Sequence, residues 1–137
     1  MARPTSTELS ARELEVMHLF WQNKELTALE ARDLLEREGR ELTYVTVANL
    51  IRALEQKKFL EQLNPERPFK YRAQRSYQEV SHVLLKDMIG KIFSGSRKSL
   101  LRCLFDQETI SAEEKEILLE IIEKKKAKEK QKGENRE

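Results

Sequence analysis

Apolar residues recur along this chain at helical spacing, interrupted once by a short alternating stretch. Four hydroxyl-x-x-glutamate boxes mark where helical runs begin: Ser10 with Glu13, Thr27 with Glu30, Ser76 with Glu79 and Ser111 with Glu114. In such a box the hydroxyl accepts from the third helical N–H, and the glutamate reaches back to the cap N–H. The first predicted helix covers residues 11–22, with Leu14, Met17, Phe20 and Trp21 as its apolar stripe. The second covers 28 to about 38, turns Ala31, Leu34 and Leu35 inward, and meets a natural stop at Gly39. Leu26, in the short connection between them, is a candidate strand residue. Thr43 caps a third helix over about 44–57, where Val47, Leu50, Ile51 and Leu54 keep the i, i+3, i+4, i+7 rule.

After the third helix the period shortens. Residues 59–63 and 69–73 read as two strands around Asn64-Pro-Glu-Arg-Pro68. Two prolines and an asparagine in five residues make a tip, not an element interior. Alternation puts Phe69 and Tyr71 on one face of the ribbon and Lys70 and Arg72 on the other. From Ser76 the helical period returns. Val80, Val83, Leu84, Met88, Ile89, Ile92 and Phe93 line one long helix, which Ser94-Gly-Ser96 breaks. A shorter helix carries Leu100, Leu101, Leu104 and Phe105, and a last one carries Ile117, Leu118, Ile121 and Ile122. The expected class is mainly α with a small β-ribbon: a winged helix-turn-helix head over 1–75, a helical dimerisation arm over 76–123, and a charged, disordered tail over 124–137.

Composition narrows the function. Gly (4) and Pro (3) are scarce and 36% of the 137 residues are charged, which fits an elongated helical protein and not an all-β one. No apolar run reaches the roughly 18 residues of a membrane span, and residues 1–6 lack a signal-peptide stretch. Lone Cys103 excludes an intrachain disulfide and a multi-cysteine metal site, and a reducing, cytoplasmic setting is the default. The net charge is only +2, but it is unevenly spread: residues 40–75 hold 8 basic and 4 acidic residues, a local balance of +4.

That central stretch contains the candidate site. The outward face of the third helix holds Thr46, Ala48, Asn49, Arg52 and Ala53, with Val45 at its start. Short side chains let a helix backbone approach a DNA major groove. Asn, Arg and Thr carry the groups that meet adenine, guanine and thymine edges. Thr43 and Tyr44, at the positive helix end, are candidate phosphate contacts. Arg67 at the ribbon tip, with Lys70 and Arg72, can neutralise phosphates alongside. The competing readings are a helix with a merely bland surface over a structural hairpin, and a winged-helix module that binds protein instead of DNA.

Three segments carry a resemblance: Leu9-Ser-Ala-Arg-Glu-Leu-Glu-Val-Met-His-Leu-Phe-Trp21, Tyr44-Val-Thr-Val-Ala-Asn-Leu-Ile-Arg-Ala-Leu54 and Lys57-Lys-Phe-Leu60. In order and content they resemble the penicillinase-repressor family. The resemblance implies a homodimeric winged-helix repressor of transcription that binds a palindromic operator in double-stranded DNA. In one branch of that family a regulatory protease cleaves the C-terminal region, at an Asn-Phe pair that Leu101-Arg-Cys-Leu-Phe105 does not reproduce. A copper-sensing branch uses paired Cys-x-Cys motifs, which this chain lacks. Val45, Ala53 and Lys58 depart from the family's usual Thr, Arg and Gly.

The arm is too small to bury its stripes alone. Val83, Leu84, Ile92, Leu101, Leu104, Phe105, Ile117 and Ile121 are therefore candidates for a dimer interface, the alternative being that they only pack the arm onto its own head. His18 reads as a packed or edge residue, His82 lacks any partner spacing, and Cys103 reads as a buried apolar position. No cofactor, metal or catalytic motif is present, so no enzyme activity is expected.

Overall fold

The computed structural model describes residues 8–106 and 109–134. Residues 1–6, read above for a signal peptide, and the last three residues of the charged tail lie outside the described residues. The chain divides into two compact units, one extending to Asp87 and the other beginning at Met88.

The first unit is built from α1 (Ala11–Gln22), β1 (Leu26–Thr27), α2 (Ala28–Arg37), α3 (Tyr44–Gln56), β2 (Leu60–Gln62), β3 (Lys70–Ala73) and the start of α4 (Tyr77–Ile92). Local chemistry sets these ends. Ser10 and Thr27 form complete capping boxes with Glu13 and Glu30. The Thr43 hydroxyl accepts from the Thr46 N–H at 3.2 Å, and the Ser76 hydroxyl accepts from the Glu79 N–H at 3.1 Å. At the far end of α2, Gly39 takes φ +87°, and the Arg40 N–H returns to the Leu35 carbonyl at 2.8 Å. The end of α3 repeats this geometry with Lys58 at φ +70° and the Phe59 N–H on the Leu54 carbonyl at 2.9 Å. A glycine at such a position avoids the Cβ clash that the left-handed region imposes.

Leu26 does form a strand. It pairs antiparallel with Tyr71, while Gln62 pairs with Tyr71 from the other side, so the sheet has three strands in the order β1-β3-β2. The expected two-stranded ribbon is thus anchored along one edge. α1, α2 and α3 pack over a core of Met17, Leu35, Val47, Ile51, Leu54 and Phe59, among others. The apolar stripe of α1 is rotated from its expected position. Val16 and Leu19 are buried beside Met17 and Phe20, while Leu14 and Trp21 lie at the margin and are only partly buried. Trp21 lies there because its indole N–H donates to the Arg75 carbonyl (2.9 Å) and its ring meets Tyr77 edge-on at 5.3 Å. His18 is an exposed edge residue whose ring lies 5.3 Å from Trp21. The first unit reaches past the change of period at 75/76 because Val80 of α4 is buried in this core and Leu84 packs against it.

The second unit contains α5 (Arg97–Asp106) and α6 (Ala112–Glu134). α4 ends where Ser94 and Gly95 take positive φ and the Gly95 N–H closes onto the Ile89 carbonyl at 3.0 Å. Ser96 then caps α5 through the Ser99 N–H, and Ser111 and Glu114 form a reciprocal box at the start of α6. None of the residues of α5 is buried. Cys103, expected in an apolar interior, is exposed for that reason. α6 continues as helix through residues expected to be a disordered tail. Lys, Glu, Gln and Ala dominate there and are good helix formers, so no packing is needed to account for it.

Candidate nucleic-acid interface

α3 has one face in the core and one in solvent. Val47, Ile51 and Leu54 are buried, and Leu50 is half-buried. At about 100° per residue, Val45, Asn49, Arg52 and Gln56 line up on the opposite side, and all four are exposed. Thr46 and Ala53 flank this stripe on one edge and Ala48 on the other, each half-buried; Ala48 rests against the core. Tyr44 is half-exposed at the helix start. The stripe carries no carboxylate, and the first turn of α3 contains no acid. Gln56 was not among the sequence candidates. The spacing i, i+4, i+7, i+11 from Val45 is the signal that finds it.

Thr43 serves the helix before any ligand. Its hydroxyl accepts from the Thr46 amide and lies 2.9 Å from the Thr46 hydroxyl. The cap fixes the first turn, and the exposed backbone N–H groups of that turn remain the electropositive feature.

Lys57, at the C-terminal end of α3, ties that end to Glu13 and Glu8. Glu13, only 5% exposed, receives the Lys57 ammonium at 3.0 Å on each carboxylate oxygen. The Ser10 amide donates to the same carboxylate (2.9 Å), and Lys57 also donates to the Glu8 carbonyl (3.1 Å). Burial alone would raise the Glu13 pKa. The Ser10 hydrogen bonds and the Lys57 ammonium outweigh it and hold the carboxyl below the ordinary glutamate range. The pair joins the start of α1 to the end of α3. Beside α3, burial raises the pKa of the Tyr71 phenol, and the Glu55 carboxylate adds to that effect.

The wing is ordered by Asn64. Its amide donates to the Glu66 and Pro68 carbonyls (2.8 and 3.1 Å) and its oxygen accepts the Lys70 N–H (2.7 Å). Sequence reading took Asn64 as turn material and missed this role, which depends on six-residue closure of the loop. Lys70 and Arg72 do point to the exposed face, with Tyr71 and Ala73 half-buried on the other. Both cations are paired, Lys70 with Glu25 at 3.3 Å and Arg72 with the cross-strand Glu61. Exposed pairs of this kind are worth about 0–1 kcal/mol, so exchange for a phosphate costs little. Arg67 at the tip lies over the Phe69 ring at 5.7 Å.

The arm candidates present a different surface. Val83, Ile92, Leu101, Leu104, Ile117 and Ile121 are exposed in the single chain, Phe105 is half-buried, and Leu84 alone packs against the head core. Among the described residues no group of three or more His, Cys, Asp or Glu is placed to hold a metal, and no helix is long and apolar enough to cross a membrane.

A three-helix head with an anchored β-wing is a winged helix-turn-helix fold. The family model of the penicillinase repressor matches residues 9–124, and the chain belongs to that family, which consists of transcriptional repressors and not enzymes. It is 27% identical to the methicillin resistance regulatory protein MecI of Mammaliicoccus sciuri, over 86% of this chain and 95% of that protein. It is 24% identical to the penicillinase repressor of Staphylococcus aureus, over 84% and 90% respectively. The solved hsRosR-S4 complex shares the fold, with a TM-score of 0.51 at 14% identity over 88% of this chain and 91% of that one.

Proposed function

We propose that this repressor binds a palindromic operator in double-stranded DNA as a cytoplasmic homodimer, with α3 in the major groove and the wing along the adjacent backbone. The exposed, acid-free stripe of Val45, Asn49 and Arg52 on a helix otherwise fixed in the core carries the reading. Asn49 and Arg52 supply the base-edge donors and acceptors, while Val45, Thr46 and Ala48 permit close approach and methyl contact. A phosphate at the start of α3 would meet the first-turn N–H groups near Thr43 and Tyr44. Arg67, Lys70 and Arg72 contact phosphates and set affinity more than sequence. The exposed apolar faces of α5 and α6 support dimerisation, through Leu101, Leu104, Phe105, Ile117 and Ile121. A two-fold dimer matches half-sites about one helical turn, or a multiple of it, apart. Release by a regulatory protease acting on the C-terminal region is compatible with the exposure of α5.

The test is a mobility-shift titration on a palindromic fragment from the protein's own promoter, against scrambled competitor. The intact chain should prefer the palindrome. N49A/R52A should lose that preference, by about 1–3 kcal/mol for each base pairing removed. Undiminished preference in the double variant would remove α3 from the reading. No shift by the intact chain would favour a protein-binding winged helix.

A further inference from the structure

We propose that the lysine-rich end of α6 is a second, sequence-independent contact to the DNA backbone. This rests on the operator-binding reading above. Residues 124–132 hold six lysines against one glutamate, a net charge of +5, and the segment is helical and exposed throughout. It begins at the last residue of the family match, so the head and dimerisation region do not account for it.

The lysines are not scattered around the helix. At about 100° per residue, Lys124, Lys125, Lys128 and Lys132 share an arc of about 100°, bordered on one edge by Glu129, about 40° from Lys125. Lys126 and Lys130 lie on the far side, near Glu123. Among the described residues, an ion pair at the basic face joins Lys124 to Glu120 at 3.7 Å, with both side chains largely exposed. Such a pair competes weakly with a phosphate.

The same face carries Ile117 and Ile121, two turns and one turn earlier respectively. A second copy can cover those isoleucines, but continued pairing of the same face would set lysine against lysine. Like charges at helical contacts repel. In a parallel pairing the contact would therefore end near Ile122, leaving the basic face beyond it for a polyanion. Lys124 to Lys132 spans about 12 Å of helix, along which duplex DNA carries about seven phosphate charges. The match in charge density, in a chain whose family represses transcription, selects the DNA backbone as the partner.

The experiment compares the full chain with K124Q/K125Q/K128Q/K132Q, in which glutamine keeps helix propensity. Binding to operator and to non-operator DNA is followed from about 50 to 200 mM salt. Each phosphate that the variant no longer neutralises should reduce the slope of log K against log salt by about 0.9. The expected result is a slope smaller by about 2–4 on both DNAs, with non-operator affinity at low salt at least about tenfold weaker and operator preference retained. Unchanged slopes overturn the proposal, as does an equal loss from K126Q/K130Q on the far side. Anionic vesicles captured by the lysine face, with unchanged DNA slopes, would overturn it in favour of a lipid surface. Failure of the operator reading is distinct: the intact chain would then show the lysine-dependent slope with no operator preference.

Discussion

In the head, Val47, Leu54 and Phe59 are at most 1% exposed; in the arm, Ile92, Leu104 and Ile117 expose 67%, 61% and 55% of their surfaces. The two regions use the same residue types at the same helical spacing. They differ in what is available to cover the stripes. The head closes three helices over a sheet, and among the described residues it leaves no buried side-chain nitrogen or oxygen without a partner. The arm has too few residues to enclose these stripes as a core of its own, and they stay exposed. Amphipathic pattern therefore shows that a face is to be buried, not by which chain.

The largest test of that contrast is Phe59→Ala. Its cost should be about 3–5 kcal/mol in the denaturant midpoint of the head, because the ring is wholly buried. A loss below about 1 kcal/mol would mean the head core is looser than its packing implies. Next is Glu13→Gln, which leaves Lys57 beside a neutral amide and should destabilise the head by about 1–3 kcal/mol. The same variant has a pH signature. Glu13 titrates lower in the folded chain than in the unfolded one, so its contribution is complete above the unfolded value of about 4.3 and is lost as the pH falls through the folded value. Melting temperatures should therefore drop less steeply below pH 4.3 in Glu13→Gln than in the parent.

In the arm the readout changes from stability to association. Leu104→Ala and Ile117→Ala should each weaken the dimer by about 1–2 kcal/mol in sedimentation equilibrium of the full chain, and leave the head's thermal transition in place. A monomeric parent at micromolar concentration would contradict the dimer. The smallest effect belongs to the end of α3. Lys58→Gly relieves a left-handed lysine and should raise head stability by about 1 kcal/mol, whereas Gly39→Ala at the matching end of α2 should lower it by a similar amount. If both substitutions shift stability in the same direction, backbone strain is not what separates the two ends.

Much of the surface proposed for DNA contact was legible beforehand because its exposure follows from local rules. The outward face of α3 is the complement of Val47, Ile51 and Leu54, and a helical wheel finds both at once. The alternation along β3 likewise placed Lys70 and Arg72 outward. What the wheel did not give was their pairing with Glu25 and Glu61, since Glu25 lies 45 residues from Lys70 and only sheet register brings it near. Cys103 was misplaced for the converse reason: apolar neighbours in sequence were taken for burial, but no residue of α5 is buried.

The sequence by itself determined where helices begin and where α2 and α4 stop, because caps and left-handed stops act within a few residues; the end of α6, which has no such stop at 123, was misjudged. It also determined the order of elements, the wing and the family, since these are carried by contiguous segments. Only the tertiary structure decided which arc of α1 is buried, that Leu26 completes the sheet, and that Glu13 meets Lys57 across 44 residues. Those outcomes depend on distant partners, whose approach is set by the packing of the whole head.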